Sequence, residues 1–284
     1  MKVLKRTLAL ALSVCMLALL VPFACLTAFS ASECPAGGNH NFVNGVCSLC
    51  GGCETPALVG GWYEIANYGN LQSLSSIVSS GVTVKAKLVA DIVINSGSQN
   101  SDYSGSGWDN IWRGTIGTAA HPFTGTFDGN GHTITGLYMS FGADYGALFS
   151  YAQNATIQNL TVDKADMTNL EGSCAVFVGH ADKTVIKDCT VKKAKVWAQQ
   201  KETYAATGIV VYAASVASEL LNGSSVLDCH AIEGLYQATP VPGSSSKDGL
   251  KYSGGIVAHA YGKDTEGNDA RCYIKRCSAE SIKI

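Results

Sequence analysis

The sequence predicts an all-β chain, a right-handed parallel β-helix (solenoid) with an N-terminal capping helix and a small cysteine-rich module. Three observations point there. Five segments share one pattern: Ile134-Thr-Gly-Leu137-Tyr-Met139, Ile157-Gln-Asn-Leu160-Thr-Val162, Ile186-Lys-Asp-Cys189-Thr-Val191, Val226-Leu-Asp-Cys229-His-Ala231 and Ile274-Lys-Arg-Cys277-Ser-Ala279. An apolar residue, a two-residue bend and then strict alternation suit a strand and not an α-helix. The spacing of their fourth positions widens from 23 to 48 residues, as in stacked turns that tolerate loop insertions. Finally, 31 glycines against six prolines, with no collagen period, fit a chain that turns often between short strands.

The N-terminus is basic from Met1 to Arg6, apolar from Leu8 to about Phe29, and ends on small residues at Ala28, Ser30, Ala31 and Ser32. Residues 1–31 therefore read as a secretory signal peptide, with an uncleaved anchor as the alternative. The expected location is secreted or at the cell surface, touching membrane only through this segment. Net charge is −2 with 15% charged residues, which supplies no basic field for nucleic acid.

Residues 32–58 form the cysteine-rich module. Cys47-Ser-Leu-Cys50 can offer two thiolates from one turn while Cys34 and His40 complete a tetrahedral set, so structural zinc is expected. The alternative is a pair of disulfides among Cys34, Cys47, Cys50 and Cys53, as an exported chain allows. Asn44-Gly45 reads as the tip of a hairpin between the two halves. Residues 59–284 are assigned to the β-helix and its cap. Leu71, Leu74, Ile77 and Val78 lie at helical spacing after Asn67 and Asn70, either of which suits an N-cap. Such a helix would cover the open apolar end of the first turn. Val82 to Ile94 alternates over two strand-like runs, and residues 95–121 read as a long polar loop with Tyr103, Trp108 and Trp112.

The segments Ala90-Asp-Ile-Val-Ile94, Phe123-Thr-Gly-Thr-Phe-Asp-Gly-Asn-Gly-His-Thr-Ile-Thr-Gly-Leu137 and Gly146-Ala-Leu-Phe149 resemble the GLUG-containing β-helix segments of secreted and surface proteins from Gram-positive, gut-type bacteria. Gly136-Leu-Tyr-Met139 departs from the name-giving Gly-Leu-x-Gly at its last position. Such segments also occur as accessory parts of immunoglobulin A peptidases and other large surface proteins. The resemblance implies architecture and export, and brings no catalytic residues.

Each turn is expected to carry a second strand opened by glycine or a small residue, at Gly146–Ser150, Cys174–Val178, Gly208–Tyr212 and Gly255–His259. Loop insertions are then expected at 213–225 and 261–271 on one corner and at 192–207 and 233–254 on the other, building one shaped surface. Leu160, Cys189, Cys229 and Cys277 fall in one inward column, which makes these cysteines core thiols; Cys272 is left undecided. Asp188 and Asp228 stand on adjacent turns, close enough to resemble the paired acids of a glycosidase. Their column, read as Gly136, Asn159, Asp188, Asp228 and Arg276, is rich in types that tolerate a left-handed bend, so a turn-forming role is favoured. Asp264, Glu266, Asn268 and Asp269 surround Gly267 and form a weak calcium candidate. His121, His132, His180, His230 and His259 show no metal spacing and read as surface or packing residues. Trp197, Tyr204, Tyr236, Tyr252 and Tyr261 are the candidate binding surface, since aromatic faces stack on sugars or protein partners.

The function expected from these residues is binding or adhesion at the cell surface, to a glycan or to a host or bacterial surface protein, without catalysis. A polysaccharide hydrolase or lyase and a structural spacer are the alternatives. The last repeat closes at Ile284 with no evident cap, which predicts a truncated chain, a partner stacked on the final turn, or edge association.

Overall fold

The computed structural model describes residues 34–284 apart from 36, 113–114, 201–209, 240–250 and 265. The segment 1–31, expected to be a signal peptide, therefore lies outside the described residues. No helix among the described residues is long and apolar enough to cross a membrane. The chain divides into two compact units, one ending at Gly52 and one running from Cys53 to Ile284.

The first unit is built on a hairpin of β1 (Phe42–Val43) and β2 (Val46–Cys47), paired antiparallel with Phe42 opposite Cys47. Asn44 and Gly45 both take positive φ, 50° and 75°, the twist that a two-residue hairpin turn requires. The Gly51 amide donates to the Cys47 carbonyl at 2.8 Å, which folds the Cys47-x-x-Cys50 turn back over the hairpin.

The second unit opens with β3 (Ala57–Val59) and β4 (Trp62–Ile65), the helix α1 (Tyr68–Ser79), and strands β5 (Val84–Leu88), β6 (Ile92–Val93), β7 (Phe123–Asp128) and β8 (Thr133–Phe141). Asn67 is the cap of α1: its side chain accepts from the Asn70 amide at 2.8 Å. The helix buries Tyr68, Leu71, Leu74 and Val78, and the Tyr68 ring meets the buried Trp112 at 6.4 Å.

Four similar passes follow. The first is β9 (Tyr145–Gly146), β10 (Phe149–Gln158) and β11 (Thr161–Asn169). The second is β12 (Ser173–Ala175), β13 (Val178–Asp182), β14 (Val185–Lys187) and β15 (Thr190–Gln199); β10 pairs with both β13 and β14. The third is β16 (Val211–Ala214), β17 (Ala217–Leu221), β18 (Ser225–Leu227) and β19 (His230–Thr239), and the last is β20 (Lys251–Gly254), β21 (Val257–Ala260), β22 (Tyr273–Lys275) and β23 (Ser278–Lys283). Each pass adds one parallel neighbour to each of three sheets, ordered β9-β12-β16-β20, β4-β5-β7-β10-β13-β17-β21 and β6-β8-β11-β15-β19-β23. The row β14-β18-β22 extends the middle sheet, and β3 closes its far edge antiparallel to β4. The fold is all-β apart from α1, and the strand pairs of the second unit are parallel except for β3 with β4.

Register explains the core. Ile134, Val162, Val191 and Ala231 stand opposite one another, as do Met139, Met167, Val196 and Tyr236, and all eight are fully buried. The cysteine column appears as expected: Leu160, Cys189 and Cys229 are buried, and Cys277 is half-buried. Burial holds the Cys189 thiol well above its ordinary range.

The register also corrects three expectations. First, Ile134 pairs with Val162 and not with Ile157, so the first repeat belongs to the following strand. The turn Gly129-Asn130-Gly131 ahead of β8 is longer than its counterparts, which shifts the pattern. Gly136 accordingly leaves the Asp188 column. It stands level with Lys164, Lys193, Glu233 and Ser281, and all five have positive φ. Asn159, Asp188, Asp228 and Arg276 form a separate left-handed column with φ of 52–54°. A side chain at Gly136 would place Cβ 2.1 Å from the Asn95 carbonyl oxygen, so glycine is required there.

Second, the segment Gly146–Ser150 and its counterparts straddle a bend between two sheets and are not single strands. Cys174 pairs with Ala213, and Ala213 with Ser253, so neither Gly208 nor Gly255 opens the equivalent stretch. Gly208 itself lies outside the described residues. Third, residues 213–225 are not an insertion, because they carry the second half of β16 and all of β17; 192–199 and 233–239 likewise continue the strands β15 and β19. Residues 261–271 do form an inserted loop, tied by a bridge between Lys263 and Asp269.

Candidate functional site

Two places concentrate chemistry. In the first unit, one ligand atom from each of Cys34, His40, Cys47 and Cys50 lies within 4.8 Å of the others. The Cys34 and Cys47 sulfurs are 3.8 Å apart, and the Cys50 sulfur is 3.5 Å from His40 Nδ1. Burial would raise the Cys47 thiol, but a hydrogen bond from His40 and those from the turn backbone outweigh it and hold it at about 5. The hairpin presents Cys47, and the 47–51 turn brings Cys50 back beside it. The cluster could hold a metal ion such as zinc, and it is the only such group among the described residues. Cys53 falls in the second unit, where its thiol donates to Gln72 Oε1 at 2.9 Å.

The second place is one that the sequence reading missed. On the outer side of the middle sheet, Tyr151, His180, Glu219 and His259 stand in register on β10, β13, β17 and β21. Beside them, across the bend to the four-stranded sheet, Tyr145 is level with Ser173, and Tyr212 with Tyr252. The two columns meet through direct contacts. Tyr145 Oη donates to Glu219 Oε2 at 2.5 Å, and His180 Nδ1 lies 3.2 Å from the same oxygen. The Tyr145 ring packs edge-on to Tyr151 at 5.1 Å, and Tyr151 lies 5.5 Å from His180. Further along, the His259 ring stacks on Tyr212 at 5.0 Å, the Tyr252 ring lies nearly parallel 5.9 Å from Tyr212, and Tyr261 meets His259 edge-on at 4.2 Å.

The sequence builds this arrangement from small residues. A Cβ at Gly179 would come within 2.5 Å of the Tyr145 Cβ, so glycine lets the tyrosine lie against the bend. Glu219 is only 6% exposed, and both the Tyr145 phenol and the His180 imidazole lie against its Oε2. Burial, with the adjoining Glu219 carboxylate, pushes the Tyr145 phenol far above its ordinary range, so it stays a donor. Tyr212 is raised as well, by burial first and then by Tyr261. His259 Nδ1 is buried and has no hydrogen-bond partner among the described residues. Two cavities adjoin at Tyr151. One, of about 230 Å³, is lined by Asp144, Tyr145, Ser173 and Val211 among others; the second, of about 350 Å³, by Pro122, Gln153, His180 and Asp182 among others.

The expected site residues fare unevenly. Tyr252 and Tyr261 are exposed, 44% and 38%, and join this groove. Tyr236 does not: it is fully buried in the Met139 column and belongs to the core. Trp197 lies on β15 in the other long sheet, its indole N–H donating to Thr239 Oγ1 at 2.7 Å. Tyr204 lies outside the described residues. Asp188 and Asp228 occupy left-handed bends, and Asp228 is engaged by the Arg276 guanidinium through two bonds of 2.5 and 2.6 Å. That pairing holds the Asp228 carboxyl below the usual carboxylate range, the opposite of what a general acid needs. In the calcium candidate, Asp264 accepts from the Glu266 and Asn268 amides and from Asn268 Nδ2, while Asp269 faces Arg271 at 3.5 Å. Those oxygens act as a turn cap. His180 and His259, expected as surface or packing residues, are half-buried and pack against Tyr145, Tyr151 and Tyr212.

No family model matches the chain. It is similar to Halomucin of Haloquadratum walsbyi, at 33% identity over 108 residues, covering 37% of this chain and 1% of that protein. Among solved structures it is similar to a candidate immunoglobulin A1 protease from Bacteroides ovatus, with a TM-score of 0.44 and 18% identity, covering 78% of this chain and 66% of the other.

Proposed function

We propose that this chain is an exported right-handed parallel β-helix, of the GLUG-containing kind, that binds an extended glycan along the outer groove and performs no catalysis of its own. The observation that carries the reading is the pair of facing columns, Tyr145 and Tyr252 on one side and Tyr151, His180 and His259 on the other, with the buried Tyr212 and Glu219 supporting them from within. Parallel strands repeat at about 4.8 Å, so the groove offers a ladder of similar contacts to a polymer laid across them. Aromatic faces suit the apolar faces of sugar rings, and buried polar groups between them suit hydroxyls. Export follows from residues 1–31. Display on a cell surface, and recognition of a surface protein in place of a glycan, belong to the same binding class. A polysaccharide-degrading enzyme is the second reading, favoured by the one buried carboxylate that touches both a phenol and an imidazole. A spacer role has no residue that speaks for it.

Screening the secreted chain on a glycan array, with release of reducing sugar measured in parallel, tests this. Binding without turnover is expected. Turnover would replace it with the enzyme reading, and silence in both assays would leave the spacer.

The same proposal assigns zinc to Cys34, His40, Cys47 and Cys50 as a structural ion. Three thiolates and one imidazole form a closed tetrahedral donor set with no open position, as in structural sites. Elemental analysis should find one zinc per chain with or without reductant. A zinc-free chain carrying disulfides would overturn the assignment.

A further inference from the structure

Resting on the glycan reading, we infer that the larger cavity beside Tyr151 seats one sugar ring by two adjacent free hydroxyls, so that the groove selects 1,4-linked glucan-like chains over chains whose linkages occupy those oxygens. The seat is a two-by-two patch. Tyr151 and Gln153 on β10 stand level with His180 and Asp182 on β13. Side chains two apart share a face of a strand, and all four line the same cavity of about 350 Å³, with Pro122 in its apolar wall. That volume lies at the small end of ligand sites and suits a single ring. Tyr151 supplies the aromatic surface beside which the apolar face of a sugar can lie.

Both polar groups that the second pass contributes are pinned from the third. Asn222 Nδ2 donates to Asp182 Oδ1 at 2.7 Å, while Gln153 Nε2, from the first pass, donates to Asp182 Oδ2 at 2.8 Å. Each carboxylate oxygen has two lone pairs, so both can accept a second donor. His180 is fixed in the same way, its Nδ1 lying 3.2 Å from Glu219 Oε2 on β17. An imidazole nitrogen that faces a carboxylate oxygen carries its proton there, which makes Nε2 the acceptor of the neutral ring. The cavity therefore meets its ligand with acceptors already held in place, and the matching group is a pair of O–H donors on neighbouring carbons. Fixing acceptors in advance avoids the ordering cost of a free side chain at binding. In a 1,4-linked hexopyranose chain each inner ring keeps its 2- and 3-hydroxyls side by side. A 1,3-linkage consumes the 3-oxygen and leaves such a pair only on the end rings.

The test is direct binding of the full chain to three hexamers: cellohexaose, laminarihexaose, and cellohexaose methylated at its 2- and 3-oxygens. Cellohexaose should bind about ten-fold tighter than the methylated probe, the scale of losing hydrogen bonds to a charged group, and several-fold tighter than the 1,3-linked laminarihexaose. Asp182→Asn, which replaces an acceptor by a donor, should erase most of the first advantage while leaving the affinity for the methylated probe unchanged. Asn222→Ala should reduce it by a smaller factor, because the carboxylate stays but is no longer fixed. Glu280→Gln, on β23 of the other long sheet, should alter neither affinity. Equal or tighter binding of laminarihexaose or of the methylated probe would overturn the hydroxyl-pair inference and keep the glycan reading. A loss for Asp182→Asn that is equal for free and methylated cellohexaose would make its role structural and overturn the seat. Failure of cellohexaose to bind while other array saccharides do would overturn the inference alone, and silence across the array would take the glycan reading with it. Melting temperatures of the variants separate lost binding from lost fold.

Discussion

The two units of this chain solve the same problem with opposite means. In the first, Cys34 and Cys47 are the only buried apolar side chains among the described residues, while Phe42, Val43 and Leu49 stay exposed. So small a segment cannot offset its chain entropy by burial and must be held by a cross-link or a metal. In the second, successive parallel strands place Phe, Ile, Val and Leu above one another, and the buried apolar residues run from Ile65 to Tyr236. The lesson is a division of labour: the first unit needs its cysteines to exist, whereas the second holds thiols only as small core residues and is free to devote its outer face to a ligand.

Removing the zinc proposed for Cys34, His40, Cys47 and Cys50 should break this comparison most visibly. Chelation under reducing conditions, or Cys47→Ser, is expected to unfold the first unit completely, since structural zinc supplies on the order of 10 kcal/mol. The cooperative melting of the second unit should be unchanged. Amide hydrogen exchange resolved by segment checks both halves of that statement.

Next in size is the sheet core. Phe149 is fully buried between Phe123 and Phe127, at ring distances of 5.0 and 5.2 Å. Phe149→Ala should destabilise the second unit by about 3–5 kcal/mol while leaving zinc content untouched, as denaturant melts and metal analysis would read.

The left-handed column sharpens the picture at single residues. Gly136→Ala must push Cβ against the Asn95 carbonyl and should cost at least about 2 kcal/mol. Lys164→Gly, at the facing position with φ of 57°, relieves a strained conformation and should stabilise by up to about 1 kcal/mol. Opposite signs in one column would tie stability to backbone handedness and not to charge.

The smallest effect concerns acid. Arg276 lowers the Asp228 carboxyl in the folded chain, so the pair stabilises above the unfolded carboxylate value near 4 and its contribution is lost as pH falls through the lower folded value. Arg276→Gln should therefore differ from the parent at pH 7 and converge with it in strong acid. Both groups are partly exposed, so salt should shrink the difference.

Much of this was legible in the chain. The alternation around Cys189, Cys229 and Cys277, the Asn44-Gly45 tip and the helix after Asn67 each follow from local chemistry, and the structure shows all of them. The groove was not, because its residues are neighbours only across strands. Tyr151, His180, Glu219 and His259 each sit two residues beyond Phe149, Val178, Ala217 and Val257, and correct alignment of those four positions is the signal that would have found them. Gly208 and Gly255 obscured it: glycine looked like the opening residue of the second strand, while the paired positions carry Ala213-Ala214 and Ser253-Gly254. Tyr236 misled for a related reason. It stands between Leu235 and Gln237, and only register with Val196 turns it inward.

The central claim is that ligand recognition belongs to the outer groove of the parallel sheets and not to the cysteine-rich unit. Hydrogen exchange of the full chain, with and without the glycan that binds best on the array, tests it most directly. The account predicts added protection at 145–151, 178–182, 211–219 and 251–261, with none at 34–52 or along 161–169. Protection confined to 34–52, or to the 161–169 and 190–199 strands around Trp197, would contradict it.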